Sequence, residues 1–136
     1  MGLFSGKRPA GIGITGGKLK ACPPTPNCIC SQYDDVNHIV EPLRYKNRSE
    51  TEIRQVLRGI LNGINGATLC EERAGYMHYE CKSKLLGFVD DLEFNLTEPG
   101  VVHVRSAARL GRKDFGVNAK RITVIRNAFA KQIGRK

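Results

Sequence analysis

Tryptophan is absent, methionine occurs twice, and the aromatic share is 7%, from five Phe and four Tyr. A single-stranded nucleic-acid platform, which needs stacked rings, is poorly served by so few. No apolar run approaches the roughly 18 residues that span a bilayer. No repeat and no low-complexity tract occurs. The start, Met1-Gly2-Leu3-Phe4-Ser5-Gly6, has no long apolar stretch and no cleavage pattern, so no export signal is expected. Gly2 is a poor match to an acylation signal, because the hydroxyl falls at Ser5 and position 6 is glycine. No Gly-x-Ser-x-Gly nucleophile motif appears, and no His, Cys or acid spacing matches a metal signature. Neither a cofactor nor a metal is expected. The location expected on these grounds is cytoplasmic.

Acidic residues are scarce in one region. Residues 105–136 hold ten Lys/Arg and a single acid, Asp114, whereas residues 1–104 hold 12 Lys/Arg and 12 Asp/Glu. The net charge of +9 therefore lies in the tail. A length of 136 residues fits one domain with one core.

The five cysteines are Cys22, Cys28, Cys30, Cys70 and Cys81. Free thiols are the default in a reducing compartment. Cys22 and Cys28 flank Pro23-Pro24-Thr25-Pro26-Asn27, which is neither a redox dithiol nor a zinc spacing. A structural loop with no metal and no obligatory disulfide is expected there.

Residues 1–48, rich in Gly and Pro, read as an irregular arm with one short edge strand, part of the same domain as a core over 49–136. Ser49-Glu50-Thr51-Glu52 is a capping box. Ile53, Val56, Leu57, Ile60, Leu61 and Ile64 then follow helical spacing. The spacing predicts a helix over 50–62, ended by Gly63 and Gly66. Strands are predicted over 67–72, 76–82, 88–97 and 101–106, with turns at Arg73-Ala74-Gly75 and Glu98-Pro99-Gly100. In the third, Phe88, Asp90, Leu92, Phe94 and Leu96 share one face, and Val89, Asp91, Glu93, Asn95 and Thr97 the other. A last helix is predicted over 118–133, capped by Asn118, with Ile122, Ile125, Ala128, Phe129 and Ile133 inward. Lys120, Arg126 and Lys131 are expected to be exposed and weakly coupled. The fold class is α+β: a four-stranded antiparallel sheet with both helices on one face. The other face is expected to be solvated or to form a groove.

Several motifs occur in a characteristic order. They are Gly6-Lys7-Arg8-Pro9, Cys22-Pro23 with Pro26-Asn27-Cys28, Phe88-Val89-Asp90-Asp91 with Glu93-Phe94, Arg105-Ser106-Ala107 with Arg109, and Asp114-Phe115-Gly116-Val117-Asn118 with Arg121. Together they resemble the domain-of-unknown-function family numbered 1499 over nearly the whole chain. The resemblance implies no biochemical activity. The chain departs from that pattern at Cys30 and Ala108, where serine is expected, which argues against Cys30 as a shared metal ligand.

Arg105, Ser106, Arg109, Arg121 and Asn118 are the candidate site. Arginine forks and a helix start both suit carboxylate or phosphate. The competing reading is that Arg105 and Arg109 pair with Asp90, Asp91 or Glu93 on a neighbouring strand. Asp90, on an apolar face, needs such a partner, with Arg105 or Arg109 expected. His78, Glu80, Asp91, Glu93 and His103 read as a polar solvent face. The leading function is a binding module for a small anionic ligand or an acidic protein. One alternative is an enzyme using Asp90, Asp91 and Glu93. Another is a binder of nucleic acid or anionic membrane through the basic terminal helix.

Overall fold

Ser49 opens the first helix. Its hydroxyl accepts from the Glu52 N–H at 3.0 Å, and the Glu52 carboxylate accepts from the Ser49 N–H at 3.1 Å. The helix, α1 (Glu50–Asn62), buries Ile53, Leu57 and Leu61. Gly63 continues in right-handed geometry, and it is Gly66, at φ +89°, that turns the chain away. A Cβ at Gly66 would lie 2.3 Å from the Lys82 carbonyl oxygen, so the next strands pack against it only as glycine.

The structure, a computed structural model, describes residues 6–84, 87–111 and 116–134. The expectations for Met1 to Ser5 and for Arg112, Lys113, Asp114 and Phe115 lie outside the described residues. From the arm come β1 (Cys28–Cys30) and β2 (Leu43–Arg44). After α1 follow β3 (Ala67–Arg73), β4 (Tyr76–Lys82), β5 (Val89–Asn95), β6 (Val101–Ala108) and α2 (Val117–Gly134). Among the described residues the architecture is α+β, with two helices and a sheet whose named strands all pair antiparallel.

The sheet has six strands rather than four, in the order β1-β6-β5-β4-β3, with β2 also on β6. The meander β3 to β6 is as expected. The arm, expected to give one short edge strand, gives two, each too short to show alternation. β1 pairs Cys28, Ile29 and Cys30 with Ala107, Ser106 and Arg105, while β2 pairs Leu43 and Arg44 with Val102 and Val101.

Both helices cover the same face. Ile53, Leu57 and Leu61 of α1 and Ile122, Ile125 and Phe129 of α2 meet Met77, Tyr79, Leu92, Phe94, Val102 and Val104 in one core. Asn118 is not the cap of α2 but the second residue of its first turn, wholly buried. The far end of α2 is tied down by Arg48, whose guanidinium donates to the Ile133 carbonyl at 3.1 Å and suits the negative end of the helix dipole. Arg126 is also not a loose surface cation. It donates to the carbonyls of Pro42 and Glu41 and so locks α2 to the segment leading into β2. Lys120 and Lys131 are exposed. Among the described residues, no helix is long and apolar enough to cross a membrane.

The opposite face is neither solvated nor an open groove. The arm lies across it. Leu19, Cys30 and Tyr76 form a second apolar cluster with Ile14, Cys22 and Tyr33 at its margin. The arm's polar groups then meet polar strand residues. Asn95 donates to the Gly17 carbonyl and to Gln32, and Arg105 Nε donates to the Lys20 carbonyl at 2.8 Å. Ser31 and His103 are hydrogen-bonded at 3.0 Å. A Gly/Pro-rich segment has many unpaired backbone groups, and a polar strand face satisfies them.

The arm is fastened by a bond that the cysteine spacing did not announce. Cys22 and Cys28 form a disulfide, correcting the expectation of free thiols. The physical reason is the turn through Pro23-Pro24-Thr25-Pro26, which brings the two Cα atoms to 5.6 Å, within bridging range. Cys30, Cys70 and Cys81 are free.

Candidate functional site

Neighbouring residues on a strand point to opposite faces, and this divides the candidate arginines. Arg105 sits on the arm side, directly across from Glu93 in the β5–β6 register. Ser106 points to the helix side. The candidate residues therefore lie in two places rather than one.

On the arm side the carboxylates are buried. Asp91 is 1% exposed and Glu93 0%. Arg109 holds Asp91 bidentately, with Nε and Nη2 each 2.8 Å from a carboxylate oxygen. His78 Nε2 lies 2.8 Å from the same carboxylate. Arg109 also reaches Glu80 at 2.6 Å, and Arg8 of the arm reaches Glu80 from outside. Burial pushes the Asp91 carboxyl up, but the bonds from Arg109 and then His78 outweigh it and hold it below its usual range. Glu80 is lowered in the same way, against burial, by Arg8 and Arg109. The Asp91 and Glu80 bonds raise the Arg109 guanidinium further.

Glu93 accepts from the Tyr76 hydroxyl at 2.5 Å and from the Gly13 N–H at 2.7 Å. Gly13 has φ +110°, a conformation that turns its N–H toward the carboxylate at no Cβ cost. Arg105 Nη1 is 3.6 Å from the other oxygen, close enough for charge pairing but not for a hydrogen bond. Burial, and then the Glu93 partner, push the Tyr76 phenol well up. This face is a charged seam between sheet and arm, and its acids are all engaged.

On the helix side, Asp90 pairs with Arg121 at 2.9 Å, not with Arg105 or Arg109. The reason is again the strand period: Asp90 faces α2, and Arg121 lies one turn into that helix. Arg121 Nη1 also donates to Asn118 Oδ1 at 2.8 Å and to Ser106 Oγ at 3.2 Å. Ser106 donates to Asn118 at 2.5 Å. Among the described residues, no acceptor takes Arg121 Nε or Nη2. Asp90→Ala is expected to cost about 2 kcal/mol, because it removes the one charged partner of a mostly buried guanidinium. Urea unfolding measures it, and an unchanged midpoint would exclude the pairing as a stabilising contact.

Behind this cluster a cleft of about 800 Å³ opens between the β4 and β5 ends of the sheet and α2. Its polar lining includes Lys82, Ser83, Lys84, Asp90 and Arg121. Its apolar lining includes Cys81, Phe88, Val89, Ala108, Leu110 and Val117. Burial pushes the Cys81 thiol up to about 11, so it is no nucleophile at neutral pH. Among the described residues, no group of three or more His, Cys, Asp and Glu is placed to hold a metal ion.

The Cys22–Cys28 loop touches the same cluster. The Asn27 carbonyl accepts from the Ala108 N–H at 2.9 Å and from Asn118 Nδ2 at 3.2 Å. Its side chain donates to the Gly111 carbonyl at 2.7 Å. Asn27 was invisible as a site residue in the sequence, since its role depends on arm docking.

A family model described as "Protein of unknown function (DUF1499)" matches residues 18–129. The chain belongs to this family. The match runs from the arm through the disulfide loop and the sheet to Phe129 of α2; it takes in the Arg121 cluster and the strand residues of the arm-side seam, while Arg8 and Gly13 precede it. No curated protein and no solved structure matches the chain.

His38 is a further group that sequence reading passed over. It is buried beside the disulfide loop, with Nε2 2.8 Å from the Thr25 carbonyl and Nδ1 2.6 Å from Asp35. Two acceptors on one ring call for the imidazolium, which has two donors. The Thr25 carbonyl and, after it, Asp35 raise the His38 pKa above its ordinary value despite burial. A raised pKa stabilises fully below about 6.5, the unfolded value, and the gain is lost as pH rises through the folded pKa. Melting temperatures of wild type and His38→Gln should therefore differ more at pH 5.5 than at pH 8.5. An equal gap at both would show that the ring is not held charged.

Proposed function

We propose that this protein is a binding module for a small anionic ligand, held in the cleft between the sheet and α2. One observation carries the reading. Among the described residues, three cations, Lys82, Lys84 and Arg121, line a concave space with Asp90 as the one acid, an excess of two positive charges. Arg121 is pre-oriented by Asp90, Ser106 and Asn118, which lowers the ordering cost of binding. Clefts of roughly 300–1,000 Å³ are the usual size for small-molecule sites.

Arg105 and Arg109 take a supporting part in this reading, because both are held by the acids of the arm-side seam. The enzyme alternative is weaker for the same reason. Asp91 is kept ionised by Arg109, and Glu93 lies wholly buried beneath the arm with Tyr76 and Gly13 on one of its oxygens, so neither acid is open to a substrate. The nucleic-acid or membrane alternative loses Arg126 from its basic face. As for location, a Cys22–Cys28 disulfide favours an oxidising compartment over the cytoplasm.

The test uses dodecanoate, below its micellar concentration, titrated calorimetrically. Lys82→Ser with Lys84→Ser should weaken binding by about tenfold at low salt. The exposed Lys131→Ser should leave it unchanged. Equal effects from both would reduce the site to diffuse charge attraction.

A further inference from the structure

We infer that the ligand is a monomeric single-tailed amphiphile, an anionic head group carrying an alkyl or similar apolar chain. This rests on the anion-site reading above and adds the second half of the ligand.

The observation is where exposed apolar surface gathers. Among the described residues, seven large hydrophobic side chains are exposed, and three of them, Phe88, Leu110 and Val117, line this one cleft. They come from three separate elements: the entry to β5, the chain after β6 and the start of α2. Val89, Ala108 and Cys81 line the same cleft. Scattered exposed apolar residues need no explanation, but a convergent set does. A bare phosphate or a dicarboxylate would leave these walls wet. Bulk polar surface would serve such a ligand as well.

Cations and apolar side chains line the same cleft, with Lys82 paired to Val89 across the β4–β5 ladder and Arg121 one helical turn from Val117. Lys82 and Lys84 lie at the end of β4, and Arg121 lies one turn into α2 beside Asp90. An amphiphile matches that arrangement with its head toward the cations and its chain along Phe88, Leu110 and Val117. The concave shape favours a free monomer over a bilayer surface, since a chain within a bilayer is already removed from water and gains little by transfer.

The experiment titrates wild-type protein with octanoate, decanoate, dodecanoate, acetate, inorganic phosphate and dodecanol, each below its aggregation limit. Affinity should rise roughly three- to fourfold per added methylene across the carboxylates. Acetate and phosphate should bind at least about a hundredfold more weakly than dodecanoate. Phe88→Ser with Val117→Ser should flatten the chain-length series in protein that circular dichroism shows to be folded at the titration temperature. A series that is flat in wild type, with acetate or phosphate as tight as dodecanoate, overturns the tail and leaves the anion site standing. Dodecanol binding as tightly as dodecanoate overturns the anion site itself. Adsorption to vesicles of anionic phospholipid, with no binding of any monomer, overturns the monomeric ligand in favour of a membrane face.

Discussion

Arg109→Met should lower unfolding free energy by about 3–5 kcal/mol, the range for breaking a buried ion pair by removing one partner. Asp91 is the reason. It is wholly buried, and its two oxygens are held by the Arg109 fork and by His78. Without the fork, a carboxylate out of water keeps, among the described residues, only His78 as a charged or hydrogen-bonding neighbour, and Glu80 keeps Arg8 as its remaining cation. The protein would respond by protonating Asp91, so its pKa should move up. The sign of the pH effect follows. In the wild type the Asp91 pKa is depressed, so its contribution is present above the unfolded value of about 3.9 and is lost as pH falls through the folded value. In the variant that support is gone, and acid unfolding should begin at higher pH. Arg109→Lys should recover only part of the loss. An ammonium is a point donor and cannot make both the Nε and Nη2 contacts to one carboxylate. Urea unfolding at pH 7 and an acid titration followed by circular dichroism supply both readouts. A loss below about 1 kcal/mol, or an unchanged acid midpoint, would reduce the seam to a surface ion pair.

The meander and both helices were legible because each element shows its own period or cap. Ser49 and Glu52 name the start of α1, and alternation along 88–97 names β5. Alternation also contained something stronger than was drawn from it. Arg105 and Ser106 are consecutive on a strand, so they cannot share a site; the period of two separates them onto opposite faces. The same rule sends Asp90 to α2 and Asp91 to the arm. By contrast, coverage of the polar face could not be read locally. Gly13, Lys20 and Ser31 offer ordinary backbone and hydroxyl groups, and only long-range docking makes them partners of Glu93, Arg105 and His103. A strand whose two faces are buried, one apolar and one ionic, has the sequence of a half-exposed strand. The cleft was hidden for a related reason. Its lining is drawn from β4, β5, β6 and α2, far apart in the chain.

Cys22→Ser with Cys28→Ser, or reduction by a small dithiol, should cost about 2 kcal/mol from the lost cross-link alone. The loop spans only six positions, which puts the chain-entropy contribution at the low end of the range for disulfides. The larger consequence is local. The loop presents Asn27, and Asn27 bonds Ala108, Gly111 and Asn118 at once. Asn118 in turn positions Arg121 at the edge of the cleft. Opening the loop should thus loosen the end of β6 and the first turn of α2 before the meander is affected. Amide hydrogen exchange would show it as faster exchange at Ala108 and Lys120, with Leu92 and Phe94 in the central strand following global stability only. Thiol counting on unfolded, unreduced protein should find three free thiols, from Cys30, Cys70 and Cys81. Five free thiols would remove the bond. A uniform rise in exchange across the sheet would instead make the disulfide a general brace, with no particular hold on the arginine cluster. Dodecanoate affinity separates the two as well. Loss of the anchor should weaken binding under conditions where the protein remains folded, whereas a general brace should lower the melting temperature and leave affinity as it was.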